Sequence, residues 1–225
     1  MNPIRSTSDL WGRIWFAEGS AHALGLLRAA YGIYWLLPWL SWAPHVDLYF
    51  SGQGMHLPFY PPPEDGIRSI EDLFGWLNQG VSPWTARMLY AGTAVLMVLV
   101  TLGLFTRTVL ILFLCSFLYH YYLYLHMFGT SFHRLLIILH VLLILSPCGK
   151  AFSMDAWRAK RNGKPFKEIW PLWTQRIICF HIIMLYFGTG LHKVSSPAWE
   201  NGDAVKMGLQ SAWGSPVGYW LLSLP

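Results

Sequence analysis

Residues 84–123 read WTARMLYAGTAVLMVLVTLGLFTRTVLILFLCSFLYHYYL, and this stretch decides the class of fold. Its only charged residues are Arg87 and Arg107. A helix needs about 20 mostly apolar residues to cross about 30 Å of hydrocarbon. The stretch therefore predicts two consecutive membrane-spanning helices, Trp84–Phe105 and Thr108 to about Phe128, joined by a short turn at Arg107.

Working outward, three further apolar segments extend this pattern. Ser20–Trp42 is interrupted by Arg28, Phe132–Leu145 is shorter and ends at Ser146-Pro147, and Trp173–Leu191 is long enough to span. The predicted fold is all-α, a multi-pass transmembrane helical bundle with about five spans and a long acidic outer loop.

The two termini add short segments to this bundle. Leu10–Gly19 has the spacing of a short amphipathic helix in the interface, so we expect residues 1–19 to be an interfacial segment and residues 20–225 to be the transmembrane domain. Val217–Leu224 is apolar but too short to span. We expect it either to lie in the interface or to begin a sixth helix of a longer protein.

The composition agrees with a membrane protein. Hydrophobic residues make up 54% and charged residues 12% of the chain, against about 25% charged in a typical soluble domain. The net charge of +5 does not indicate a nucleic-acid partner, because the basic residues are concentrated in one loop without interleaved stacking aromatics. The three cysteines form no CxxC pair, so no zinc site or disulfide framework is predicted.

The charges of the loops predict the topology. Cys148–Leu172 is rich in lysine and arginine, whereas Ala43–Pro83 holds mostly acidic residues. By the positive-inside rule, the basic loop is cytoplasmic, and with it the turn at Arg107 and the N-terminus; the acidic loop and everything after Leu191 lie outside. The expected location is a cell membrane, and the absence of a signal-peptide pattern favours a bacterial inner membrane.

Ionisable residues inside the predicted spans need an explanation, because each costs about 2.5–3.5 kcal/mol at a helix centre. Arg28 has two interpretations: pairing with carbonyls or a carboxylate between helices, or binding an anion or a headgroup. His126, His133 and His140 recur every seven residues, so on a continuous helix they would share one face. Successive members of this series are about 10 Å apart, too far to share one ion, so no metal site is predicted.

Lys193 ends the fifth predicted span in LYFGTGLHK, residues 185–193. It is either an interfacial anchor or a base, since an amine in a partly dry site loses its charge more readily. Gly188 and Gly190 have no side chains, so another helix or a ligand can approach the backbone closely there. The topology brings His133 to the same outer face, so we expect Lys193 and His133 to share an outward-facing site.

Several of these stretches together resemble a known family. They are Tyr186-Phe187 followed by Gly190 and Lys193, then Trp199 and Gly202; Leu27-Arg28 followed by Gly32; Gly103-Leu104 followed by Arg107; His133 followed by Leu136; and Ser153-Met154-Asp155. In this order they resemble the HTTM (horizontally transferred transmembrane) family, which is related to the vitamin K-dependent gamma-glutamyl carboxylase. The resemblance covers roughly Leu24 to Tyr219.

The resemblance implies a chemistry. Lys193 would deprotonate vitamin K hydroquinone or another lipid-soluble quinol, oxygen would add to the quinol anion, and the resulting strong base would remove a glutamate proton before carbon dioxide traps the carbanion. His133 would assist at the carbanion. Arg28, His192 and Arg134 are the candidate substrate-binding residues.

Two non-enzymatic alternatives stay open. In the first, the chain is a membrane module that binds lipid or a partner subunit of unknown identity, with Lys193 and Arg28 as ligands of headgroups or carboxylates. In the second, it is an inactive, truncated homologue. The lipid bilayer is the expected partner in every case.

Overall fold

A computed structural model of the protein describes residues 7–55, 80–123, 131–163, 169–210 and 220. The fold is all-α, as predicted. The helices are α1 (Thr7–Trp15), α2 (His22–Trp42), α3 (Val46–Phe50), α4 (Pro83–Leu102), α5 (Thr106–Leu123), α6 (Ser131–Leu145), α7 (Met154–Arg161), α8 (Trp173–Val194), α9 (Pro197–Glu200) and α10 (Asp203–Gln210).

Three helices are long and apolar enough to cross a membrane, counting only the described residues: α4, α5 and α8. The apolar helix α6 is shorter. Helix α2 has 21 residues but is not among these three. The number of five spans therefore stays a prediction.

Parts of three predictions lie outside the described residues. They are the acidic residues of the outer loop between 56 and 79, the end of the third span with His126, and the final apolar stretch.

The chain forms two compact units, residues 1–176 and 177–225. In the first unit α2, α4, α5 and α6 form a bundle. Helices α2 and α4 are antiparallel, since Gly32 approaches Thr101 while Trp39 stacks on Tyr90 with ring centroids 4.5 Å apart. A Cβ atom on Gly32 would lie 2.9 Å from the backbone nitrogen of Thr101, so the glycine allows the two helices to pack closely.

Helices α5 and α6 complete this bundle, and successive helices run in opposite directions. His133 of α6 lies beside Trp35 of α2, and His140 lies beside Tyr31, so α6 is antiparallel to α2. Aromatic side chains fill the centre: Trp35, Trp39, Phe113 and Phe117 are each at most 2% exposed. Because apolar burial does not depend on direction, this core holds the four helices together.

A small antiparallel ribbon closes the first unit. Its strands are β1 (Glu18–Ser20) and β2 (Ile169–Pro171), with Gly19 opposite Trp170. The backbone N–H of Leu172 also donates to the carbonyl of Ala17 at 3.0 Å. The ribbon therefore joins the segment before α2 to the segment before α8.

Candidate functional site

Arg28 is completely buried at the end of the bundle where α4 turns into α5. Its Nη2 donates to the carbonyl oxygen of Phe152 at 2.5 Å. Gly103 has φ +69°, and a Cβ atom there would overlap Nη1 of Arg28. Within the described part of the chain, Nε and Nη1 have no hydrogen-bond partner. One carbonyl therefore binds the guanidinium, and Nη1 occupies the space that a side chain at Gly103 would fill.

At this end of the bundle, Asp155 connects two of the motifs singled out in the sequence, residues 153–155 and residues 103–107. Its carboxylate accepts hydrogen bonds from Phe105 N at 2.9 Å, from Thr106 N at 2.7 Å and from Thr106 Oγ1 at 2.8 Å. Its own backbone N–H donates to the carbonyl of Gly103 at 3.1 Å. A carboxylate at a helix N-terminus satisfies N–H groups that have no partner inside the helix, so Asp155 caps α5.

Two non-glycine residues here have left-handed backbone angles. Phe105 and Phe152 each have φ of +47°, a conformation that costs about 1–3 kcal/mol outside glycine. Phe152 supplies the carbonyl that binds Arg28. The stretches containing Arg28, Gly103 and Asp155 thus meet in one junction, which we call the arginine junction.

His133 lies half-buried in α6, away from this junction. Its ring centroid is 5.6 Å from that of Trp35 and 6.1 Å from that of Phe132. Trp35 is seven residues from Arg28 on α2, which is about 10 Å along a helix axis. The neighbouring Arg134 is exposed. The structure therefore places Arg28, a predicted substrate ligand, and His133, a predicted catalytic residue, at different levels of the bundle.

His140 completes a buried hydrogen-bond group in the bundle. Its Nδ1 lies 3.0 Å from the hydroxyl of Tyr31, and its Nε2 lies 2.8 Å from the carbonyl oxygen of Leu110. His140 thus joins three helices, and His133 and His140 both face α2.

Lys193 lies in the second unit, at the end of α8, and is exposed together with His192. Its Nζ lies 4.2 Å from the centroid of the Trp199 ring, across the turn into α9. A ring face attracts an ammonium group. A Cβ atom on Gly188 or Gly190 would meet no described atom within 4 Å. Lys193 and His133 belong to different compact units, and their shared site stays a prediction.

A cavity of about 610 Å³ lies beside the arginine junction. The beginning of α5, the end of α6 and residues 146–150 surround it, with Trp170 of β2 on one side. Its lining contains the cationic side chains of Arg107 and Lys150 and the apolar side chains of Leu110 and Leu143. It can therefore accept a molecule with one charged and one apolar part.

Comparison with known families shows where the chain belongs. The family model of the HTTM domain matches residues 65–224. The chain belongs to the HTTM domain family. No curated protein and no solved structure matches it.

The HTTM match includes Arg107, His133, Asp155 and Lys193, whereas Arg28 precedes the matched residues. The HTTM domain is membrane-associated, in agreement with the three helices that could cross a membrane. The family predicted from the resembling stretches is thereby confirmed.

Sequence reasoning about this HTTM domain missed two contacts. It named Trp199 as part of a motif but not as the ring that contacts Lys193. It did not name Phe152, whose carbonyl holds Arg28 from 124 positions away in the chain. A tryptophan six residues after a helix-terminal lysine was the available signal for the first contact. No local signal exists for the second.

Proposed function

We propose that this HTTM-domain protein is a membrane enzyme that takes a proton from a lipid-soluble quinol, with Lys193 as the base and His133 assisting. It would lie in a cell membrane, bacterial in origin, with its N-terminus in the cytoplasm. The observation that carries the proposal is the position of Lys193. It ends an apolar helix long enough to cross a membrane, and its Nζ lies on the ring of Trp199.

The chemistry needs a neutral amine. As Nζ of Lys193 accepts the proton, a new N–H bond forms, the quinol O–H bond breaks, and its electron pair stays on the quinolate oxygen. The product of this step is an ammonium group, which the face of Trp199 attracts. The Trp199 ring therefore stabilises the protonated product of this step.

The remaining residues have supporting roles in the proposal. His133 is an imidazole, which can donate or accept a proton near neutral pH. His192 and Arg134 are exposed and adjacent in sequence to the two catalytic candidates, and they would bind the substrate, whereas Arg28 is buried at the arginine junction. The family resemblance makes vitamin K hydroquinone the first quinol to test.

The test is quinol oxygenation by purified protein in lipid nanodiscs, supplied with vitamin K hydroquinone, oxygen and bicarbonate. We expect quinone epoxide, detected by mass spectrometry, and its loss by a factor of at least 100 in Lys193→Ala, since a positioned base typically contributes about 10²–10⁴-fold. Lys206→Ala is the matched control, because Lys206 is an exposed lysine of the same unit.

Equal epoxide formation by Lys193→Ala and the wild type would remove Lys193 from the mechanism. No epoxide from folded wild-type protein would contradict the quinol chemistry itself.

A second candidate function is a non-catalytic module that binds lipid or a partner subunit. The exposure of Lys193 favours it, because an exposed cation held by a ring can bind a carboxylate or a headgroup. Under this function, Lys193→Arg would retain binding because the charge remains, whereas a base would be lost. Lys193→Ala should lose either function, whereas Lys193→Arg should lose only catalysis, so comparing these two variants separates the two functions.

A further inference from the structure

The cavity beside the arginine junction is lined by none of the residues assigned to the proposed quinol site, and all its lining residues belong to the first compact unit. Its volume of about 610 Å³ is within the range of about 300–1,000 Å³ that small-molecule sites occupy. It lies at the first turn of α5, one of the helices that could cross a membrane. The end of a spanning helix lies at the level of the lipid headgroups.

Two cations line the cavity. Arg107 and Lys150 are both exposed, and neither forms a salt bridge with another described residue. Asp155 also lines the cavity, but its oxygens accept the hydrogen bonds that cap α5. These three side chains leave one net positive charge, which matches the single negative charge of an anionic phosphodiester.

The rest of the cavity lining has the composition of a membrane interface, with an aromatic ring and apolar side chains. Lys150 Nζ lies 5.3 Å from the centroid of the Trp170 ring, and tryptophan collects at the level of the headgroups. Leu110 and Ile144 line the cavity next to Leu145, which is 51% exposed on α6. Apolar side chains of the lining, one of them exposed on the surface of the bundle, therefore lie beside the two cations.

We propose that this cavity binds an anionic phospholipid, with Arg107 and Lys150 contacting the phosphate and the apolar wall contacting the start of an acyl chain. Arginine and lysine near a membrane surface attract anionic lipids with about 1 kcal/mol per residue, or about fivefold in affinity. Removing both charges is expected to weaken binding about 30-fold.

The test is native mass spectrometry of the full chain in detergent, titrated with phosphatidylglycerol or with phosphatidylcholine of the same acyl chains. Arg107→Gln/Lys150→Gln is compared with Lys160→Gln/Arg161→Gln, which removes two exposed cations from α7 outside the cavity lining. We expect the first variant to lose about 30-fold in phosphatidylglycerol affinity with unchanged phosphatidylcholine binding, and the second to behave as the wild type.

Equal losses in the two double variants would mean general surface attraction and would overturn the proposal. Displacement of the lipid by millimolar inorganic phosphate would overturn the lipid assignment, since the site would then take free phosphate. A photoactivatable phosphatidylglycerol on wild-type protein gives a reading that does not depend on folding of the variants. Labels at residues 106–110 and 143–150 support the site, and labels confined to other segments contradict it.

Discussion

Arg28 shows how one charged residue is accommodated inside an apolar helix. The sequence left two interpretations open, a carbonyl pairing between helices and a ligand site. The hydrogen bond to Phe152 is a contact of the first kind. Two donor nitrogens without a described partner leave the ligand interpretation as a prediction. The contact depends on the left-handed backbone at Phe152 and on the absence of a side chain at Gly103.

Gly103→Ala should destabilise the protein by about 2–4 kcal/mol. A left-handed alanine costs about 1–2 kcal/mol, and its Cβ would also displace the buried Arg28. The measurement is the thermal midpoint in a fixed detergent, which should fall.

The matched control is Gly92→Ala, in the middle of α4, where an added Cβ meets nothing within 4 Å. Alanine is the better helix former, so this variant should gain about 0.5–1 kcal/mol. Equal shifts of the two midpoints would mean that Gly103 is not needed at the junction.

At the scale of elements, an ion pair joins α3 to α4 at the other end of the bundle. Arg87 Nε donates to Asp47 Oδ1 at 2.8 Å, and Nη2 donates to Oδ2. The sequence showed Arg87 only as a charged residue near the start of a predicted span. Its partner lies 40 positions away, beyond the reach of helical periodicity, so only the packing of α3 on α4 shows the pair.

This ion pair predicts a dependence on pH. The hydrogen bonds from Arg87 lower the pKa of Asp47. A lowered pKa in the folded state stabilises the fold above the ordinary aspartate pKa of about 3.9, and this contribution is lost as pH falls through the lowered value. The wild type should therefore have a higher thermal midpoint than Asp47→Asn at pH 7, and the difference should vanish well below pH 4.

Both residues of the pair are exposed, so the difference should also shrink in high salt. Asp203→Asn in α10 serves as the control, since Asp203 is exposed and forms no salt bridge with a described residue. A difference between the wild type and Asp47→Asn that persists at low pH would rule out the ion pair as its cause.

At the scale of the whole molecule, the sequence placed the turn at Arg107 and the basic loop on one side of the membrane. In the structure Arg107 and Lys150 line one cavity, so the two segments do lie at the same end of the bundle. Helix α7 adds Arg158, Lys160 and Arg161 in its last turn near this end. Which side of a membrane this end faces stays a proposal.

Cysteine labelling tests that orientation. With Cys115, Cys148 and Cys179 replaced by serine, Lys206→Cys should react with an impermeant maleimide in intact bacterial cells. Lys160→Cys should react only after the membrane is opened, because the positive-inside rule places the basic segment in the cytoplasm. Both lysines are exposed, so access within the protein is comparable. The reverse labelling pattern would invert the topology.

The sequence by itself determined the all-α class, the family and, where the structure describes them, the ends of the main helices to within a few residues. These properties depend on runs of consecutive residues, whose hydropathy and turn signals can be read locally. The tertiary structure alone decided the contacts of Arg28 with Phe152 and of Asp155 with Thr106, the ring under Lys193, and the cavity between Arg107 and Lys150. Most of these contacts join residues that are distant in sequence. Helix packing brings such residues together, and the local periodicity of the sequence does not show which ones will meet.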